Sequence, residues 1–249
     1  MAQYYTDFSE YLPGTKLSET ARWERINDSL KYTVIDPTYK DGNVLRISEG
    51  SGIGTTVLVD KSAGTSSDIE ILLKLSVNNS VVHYPIARYE NSNNGYGYAY
   101  ELQNGSSYGN YIRLYNDGTT RLALGNGGWD DNGGYYKIKC VGDQIKVKWW
   151  SPNESEPSAW ELEVTDTTLS SGKAGIISVN DRECDIDMWG VGTNGDPAPT
   201  SPLFDFQTTI TGTNTPVTSG DSLTVDVDVT NIGTGPGEDD VTLDINELI

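Results

Sequence analysis

Apolar and polar positions alternate along most of this chain. Between residues 68 and 77, Ile69, Ile71, Leu73, Leu75 and Val77 fall on one face, and Asp68, Glu70, Lys74 and Ser76 on the other. Only Leu72 breaks the period of two that marks a half-buried strand. The same pattern predicts strands over residues 30–35, 44–48, 55–59, 81–89, 96–103, 111–115, 120–124, 135–141, 144–150, 160–164, 174–179 and 184–191. They recur about every 8–12 residues and are separated by Gly, Asn, Asp and Ser, the spacing of a sandwich or barrel. Helix is confined to one turn within residues 18–26, with Ser18 as its cap. The expected class is all-β, built from antiparallel sheets.

One hairpin is legible in detail. Gly142-Asp143 forms a two-residue turn between Lys137-Ile138-Lys139-Cys140-Val141 and Gln144-Ile145-Lys146-Val147-Lys148-Trp149. This register sets Lys139 opposite Lys146 and Lys137 opposite Lys148, with Ile138, Cys140, Ile145 and Val147 facing inward. Four lysines on one face repel unless acids flank them. Glu161 and Glu163 have the right alternation on the next strand. The expectation is a solvent-exposed charge ladder, with a site for an anionic sugar as the alternative.

Composition narrows the function. The chain has 249 residues, with 17 basic and 36 acidic side chains and a net charge of −19. Residues 1–182 hold 17 basic and 23 acidic side chains, net −6, whereas the last 67 residues hold 13 acids and no Lys or Arg. This balance argues against nucleic acid, whose phosphates need clustered Lys and Arg, and against anionic membrane surfaces. Dense carboxylates and frequent Thr fit a halophilic protein, in which salt screens mutual repulsion. No apolar run reaches the roughly 18 residues of a membrane span. The N-terminus lacks a leader pattern, which leaves a removed leader or another exit route, such as a virion. His83 is the sole histidine, so His-dependent triads and His-built zinc sites are not expected. Cys140 and Cys184 both sit in predicted strands, either as a disulfide or as two buried thiols.

Eight of the 15 tyrosines fall between Tyr84 and Tyr115. Tyr96, Tyr98 and Tyr100 alternate with Gly95, Gly97 and Ala99, which gives one aromatic face over a small-residue backbone. With Tyr84, Tyr89, Tyr111 and Trp129 they are the candidate contacts for a glycan or a protein partner, since each ring joins an apolar body to a polar tip. The competing reading places the tyrosines in the core of one sheet.

A family resemblance rests on several runs. Tyr135-Tyr136-Lys137-Ile138-Lys139, Gly142-Asp143-Gln144-Ile145-Lys146-Val147, Trp160, Gly172-Lys173-Ala174-Gly175-Ile176 and Asp185-Ile186-Asp187-Met188-Trp189-Gly190-Val191-Gly192-Thr193 resemble the late strands of concanavalin A-like sandwiches of the laminin-G-like type. Tyr5-Thr6-Asp7-Phe8-Ser9-Glu10 resembles their first strand. The resemblance covers about residues 1–193. It implies a jelly roll of two curved antiparallel sheets with the first and last strands side by side. The family includes lectins, adhesion modules, virion surface proteins and polysaccharide hydrolases.

Its laminarinase-type hydrolases carry Glu-x-Asp-x-x-Glu, whose carboxylates act as nucleophile and acid. Asp68-Ile69-Glu70 and Glu161-Leu162-Glu163 lack the third member, so an enzyme is not expected. Many of its jelly-roll binding modules hold a structural calcium between the first and last strands, bound by carboxylates and carbonyls. The resemblance therefore makes Asp7, Glu10, Asp185 and Asp187 the candidate Ca2+ ligands. Asp187 alternates with Trp189 and Val191 and is expected to point inward, where a carboxylate needs a partner or a metal. The competing reading leaves these acids exposed or bonded to Arg22 or Arg25. The glycine-rich loop at residues 127–134 is a second metal candidate.

Residues 194–202, Asn-Gly-Asp-Pro-Ala-Pro-Thr-Ser-Pro, read as an extended, stiff linker. Beyond it, strands are predicted over residues 203–210, 222–230 and 241–246. The run from Gly220 to Gly233 resembles the opening half of the immunoglobulin-like CARDB adhesion modules. Such a sandwich needs about seven strands, and only three follow the linker here. Residues 203–249 are thus expected to form a partial immunoglobulin-like domain completed by a partner chain. The resulting reading is a non-enzymatic, surface-exposed structural or attachment protein. It would be a homo-oligomeric virion component of turret, decoration or tail-fibre type, on a virion surface or outside the cell. A monomeric secreted carbohydrate-binding module is the alternative, and a polysaccharide hydrolase is the third reading.

Overall fold

A computed structural model describes residues 2–26, 31–48, 55–78, 83–90, 95–103, 107–115, 119–124, 133–179, 183–201, 206–213 and 225–231. Its strands are β1 (Ala2–Thr6), β2 (Trp23–Ile26), β3 (Lys31–Ile35), β4 (Val44–Ser48), β5 (Thr55–Asp60), β6 (Ile69–Asn78), β7 (His83–Tyr89), β8 (Gly95–Gln103) and β9 (Ser107–Tyr115). There follow β10 (Thr119–Leu124), β11 (Gly134–Val141), β12 (Gln144–Trp150), β13 (Leu162–Thr165), β14 (Lys173–Val179), β15 (Cys184–Thr193), β16 (Phe206–Thr213) and β17 (Val225–Asn231). The chain divides into two compact units, Met1–Thr200 and Ser201–Ile249. In the second, β16 and β17 pair antiparallel; the strand predicted over residues 241–246 lies outside the described residues. Among the described residues, no helix is long and apolar enough to cross a membrane.

The first unit is a sandwich of two antiparallel sheets. Sheet A runs β13-β12-β11-β6-β15-β4-β3, with β1 also paired to β15, and sheet B runs β10-β9-β8-β7-β14-β5-β2. From β4 to β7 the chain alternates between the sheets, which is the jelly-roll path. Burial follows the period of two. Ile69, Ile71, Leu73 and Leu75 of β6, with Ile138, Cys140, Ile145 and Val147, meet Leu58, Ala87, Ala174 and Ile176 of sheet B in one core. Each large aliphatic side chain buried there contributes roughly 1.5–3 kcal/mol. The β11–β12 register is the expected one, with Lys139 opposite Lys146 and Lys137 opposite Lys148.

That register also separates the cysteines. Along β6, Cys140 pairs with Ile69 and Cys184 with Asn78, so roughly 30 Å of strand lies between them. A disulfide cannot span that distance, and both thiols are free and buried. Burial pushes the Cys140 thiol up to about 12 and raises Cys184 as well. The native protein near pH 8 is therefore expected to take up no maleimide, and the denatured protein two, by intact mass. Rapid native labelling of either thiol would contradict this core.

Three expectations are corrected. The helical turn is a 3-10 helix at Leu17–Glu19, with Lys16 in the cap position and no side-chain cap. Buried Leu17 anchors it, and Trp23–Ile26 is a strand because it pairs with β5. Trp160 falls outside β13. The predicted linker is not free up to Thr200. Asn194 and Gly195 turn at φ 58° and 89°, and the chain then runs back against the outer face of β15. A Cβ at Gly190 would lie 2.3 Å from the Pro199 carbonyl oxygen, and one at Gly192 2.2 Å from that of Asp196. Only glycine permits this approach. Ala198 then joins Leu72, Trp150 and Met188 in a second apolar cluster, which explains the apolar residue that breaks the alternation of β6.

Candidate functional site

The outer face of sheet A carries most of the described charge chemistry. Lys137 and Lys148 are buried rather than solvent-exposed. Lys137 Nζ lies 2.7 Å from Glu156 and 3.3 Å from Glu70, and Lys148 Nζ lies 2.6 Å from Glu156. Lys148 also sits 4.6 Å from the Trp160 ring centre. Burial alone would raise the Glu156 pKa, but hydrogen bonds and charge from the two lysines hold it below the ordinary range. Lys139 takes Glu70 and Lys146 takes Glu163. Each lysine of the ladder thus has an acid partner, four lysines against three glutamates, and two of the acids, Glu70 of β6 and Glu156 of the β12–β13 loop, are partners that strand alternation did not single out.

A hollow of about 300 Å3 opens beside β1, β6 and β15. Lys74 stands on the outer face of β6, opposite Tyr135 of β11, with its Nζ 5.5 Å from the tyrosine ring centre. Tyr135 stacks on Trp150, with centroids 5.1 Å apart and planes within 9°. Asp187 comes from a bulge: on β6, Ile186 pairs with Leu75 but Met188 with Lys74. The extra residue resets the alternation, so Asp187 turns outward while Trp189 and Val191 return to the core. Its Oδ1 bonds Lys40, and its Oδ2 lies 2.5 Å from Lys74. Burial lowers the pKa of both lysines, and the charge of Lys74 lowers Lys40 further, against Asp7 and Asp185.

The loop after β1 closes the mouth. Phe8 is fully buried at φ 64°, a left-handed conformation that costs a non-glycine residue energy. Its N–H donates to Thr6 Oγ1 at 2.8 Å. Asn43 Nδ2 donates to the Tyr11 carbonyl at 2.8 Å, which ties this loop to the start of β4. Thus anchored, the loop sets Asp7 and Ser9 at the hollow, with Asp7 Oδ1 accepting Ser9 N–H at 3.0 Å and Ser9 O–H at 2.6 Å. Tyr5 lines the floor, and burial with the Asp7 charge pushes its phenol up to about 12.

The expected metal ligands do not converge. Asp7 and Asp187 share the hollow. Asp185 instead accepts two bonds from Arg46, at 2.8 and 2.7 Å, and one from Tyr39. Glu10 lies 3.8 Å from Arg22. With cations already on Asp185 and Asp187, these four carboxylates as arranged do not fit a calcium cage. Among the described residues, no three His, Cys, Asp or Glu side chains group to hold a metal.

The tyrosine tract divides. Tyr84 and Tyr89 are each 3 % exposed and pack with Val57, Val59, Ile86 and Ile177. Tyr96 pairs with Ala87, Tyr98 with Ile112 and Tyr100 with Asn110, whereas Tyr111 is in register with Ala99. Trp129 lies outside the described residues, as does most of its loop. The hollow's Tyr5, Lys40, Asn43, Lys74 and Tyr135 were not singled out by sequence. The one available signal was Lys74, a charge beside Leu72 on the polar face of β6.

No family model matches the sequence, and no curated protein sequence matches it. Solved structures match its fold. A protein of unknown function with a galectin-like fold from Bacillus subtilis is 12 % identical at TM-score 0.53, covering 76 % of this chain and 94 % of that one. A xylan β-1,4-xylosidase from Bacillus halodurans C-125 is 13 % identical at 0.52, covering 75 % of this chain but 38 % of that one. The carbohydrate-binding module CBM66 from Bacillus subtilis is 15 % identical at 0.46, covering 68 % and 93 %. Likeness at these identities establishes the jelly-roll sandwich alone.

Proposed function

We propose that this protein is a glycan-binding β-sandwich module and that its saccharide seats in the hollow beside β1, β6 and β15. One observation carries this reading: Tyr5 and Tyr135 share a single cavity with Lys40, Lys74 and Asn43. A sugar presents C–H faces and hydroxyls; Tyr5 and the edge of Tyr135, whose ring lies between Trp150 and Lys74, offer apolar surface beside polar groups that match both. The volume falls at the lower bound of the roughly 300–1,000 Å3 typical of ligand sites. Bracing by the Tyr135–Trp150 stack and the Asn43 tie reduces the ordering that binding must otherwise supply. The oligomeric virion-attachment setting expected from the sequence is a further proposal on the same reading, in which multivalent display would raise avidity.

A glycan array followed by calorimetry on the best ligand tests the reading. Tyr135→Ala is expected to weaken binding at least about tenfold, or ~1.4 kcal/mol, while a variant at the distant Lys146 leaves it unchanged. An array without hits, or equal affinity for Tyr135→Ala, would sink it.

A further inference from the structure

We infer that the strap of residues 194–200 is a working part of the saccharide site, so that seating of the strap and binding of the sugar are linked; the inference rests on the glycan-binding reading above. It follows from what the two tyrosines of the hollow lean on. Tyr5 and Tyr135 are half-buried and pack against the cluster of Leu72, Trp150, Met188 and Ala198. Tyr5, Tyr135 and Met188 also line the hollow, so the cluster continues its floor. Ala198 is the member that the strap supplies. Trp150 and Ala198 are each 5 % exposed, although the cluster lies on the outer face of sheet A, and the strap is its cover there. Trp150 in turn carries the stacked Tyr135 ring. At the end of the strap, exposed Thr200 lines the same hollow, and its hydroxyl can both donate and accept.

The strap is not held as a strand is. Pro197 and Pro199 have no N–H, and residues 196–199 carry no strand pairing. Gln3 Nε2 donates to the Pro197 carbonyl at 2.6 Å, and the Ala198 N–H to Glu70 Oε1 at 3.3 Å. Glu70 is itself fixed by Lys137 and Lys139, so the charge ladder anchors the strap. A segment held by packing and separate bonds opens at a lower free energy than a paired strand. Opening uncovers Trp150 and Met188 and removes Thr200 from the hollow, which leaves Tyr135 without its backing. A saccharide that uses these groups binds the seated form better. By linkage, the factor by which release of the strap weakens the sugar is the factor by which the sugar favours the seated strap.

Hydrogen exchange on the intact, unaltered chain reads this link. The probe is the tightest binder among the array's glycans, cellohexaose, xylohexaose, laminarihexaose and mannohexaose. At saturation it is expected to slow exchange within residues 194–200 at least about tenfold. A strap that only covered β15 would exchange at one rate with and without the probe, and that result would overturn the inference even if every variant misfolded. Two variants release the strap from opposite sides. Gly192→Ala sets a Cβ 2.2 Å from the Asp196 carbonyl oxygen and 2.5 Å from that of Pro197. Ala198→Asp puts a charge into the apolar cluster from a segment outside the sheets. Both should speed exchange of the strap and weaken the probe at least about tenfold, with Cys140 and Cys184 still closed to maleimide as proof of an intact core. Faster strap exchange at unchanged affinity would overturn the link and leave the glycan site standing. If no saccharide binds the unaltered chain, the glycan reading falls and the link with it.

Discussion

Arg88→Met should lose about 3–5 kcal/mol of folding stability, because three carbonyls lose the cation that serves them. Arg88 is 1 % exposed and sits at φ 55° near the end of β7. There the ladder slips: Lys173 pairs with Tyr89, but Gly175 with Ile86. The bulge swings the side chain into the end of the sandwich. Nε donates to the Ser67 carbonyl at 2.8 Å, Nη1 to that of Leu169 at 2.8 Å and Nη2 to that of Gly142 at 2.6 Å. These carbonyls belong to three loops, β5–β6, β13–β14 and β11–β12; the first two share one antiparallel bridge, Ser66 with Gly172, and the Gly142 N–H donates to Asp68 Oδ1 at 3.1 Å. Among the described residues, the planar guanidinium is the one side chain that bonds all three. Methionine fills the stem's volume but leaves three carbonyls without their donor, each worth about 1–3 kcal/mol if it stays dry. Lysine keeps the charge but not the fixed fork, so Arg88→Lys should fall between methionine and the original. Gly172 is part of the device, because a Cβ there would come 2.3 Å from the Arg88 carbonyl carbon. Urea unfolding reads the effect as a lower midpoint at unchanged slope. A loss under about 1 kcal/mol for Arg88→Met would mean that water serves these loops equally well.

The sheets of this protein were legible in the sequence because their signal is local. A period of two over ten residues places β6, and the Gly142-Asp143 turn sets the β11–β12 register residue for residue. What alternation cannot supply is which residue of a distant loop meets an outward side chain. Lys137 was readable as outward, but its Glu156 partner comes from an irregular loop. The apolar Leu72 looked like an exception only because its cover, residues 196–200, read as a linker from its prolines. Bulges are the second source of error. Asp187 was assigned to the core by counting from Trp189, and one extra residue between Ile186 and Met188 reverses that count. The hollow inherits both difficulties. Its Lys40 lies in a turn-rich loop and meets Asp187 across 147 residues, a separation that no short motif records. The tyrosine tract had the stronger compositional signal, yet Tyr84 and Tyr89 are buried in an apolar cluster with Val57, Val59, Ile86 and Ile177, on the face of sheet B opposite the core residues Leu58 and Ile176.

Asp60→Asn should be the second most damaging single change, at about 3–5 kcal/mol. Asp60 follows Leu58 onto the inner face of β5 and is fully buried. Arg22 meets it with Nη2 at 2.8 Å from Oδ2 and Nε at 3.2 Å from Oδ1. Trp189 Nε1 of the opposite sheet donates to Oδ2 at 3.1 Å, and Ser62 donates its N–H and O–H to Oδ1. A single carboxylate therefore links sheet B to sheet A. Through Arg22 Nη1, which donates to the Tyr5 carbonyl at 3.0 Å, it also holds the strand that floors the hollow. Burial alone would lower the Arg22 pKa, but the hydrogen bond and charge of Asp60 carry it up. Asparagine keeps the shape but loses the charge and one acceptor, and its amide hydrogens face the guanidinium. The cost is then chiefly that of a stranded arginine, not of a lost attraction. This has a testable consequence: Arg22→Met in the Asp60→Asn background should restore part of the loss, because it removes the unpaired charge. Denaturant midpoints of the two single variants and the double variant measure the coupling. A double variant less stable than Asp60→Asn by the full cost of Arg22→Met would show that the two side chains act independently. In that case the link between the sheets would rest on Trp189 and Ser62 alone.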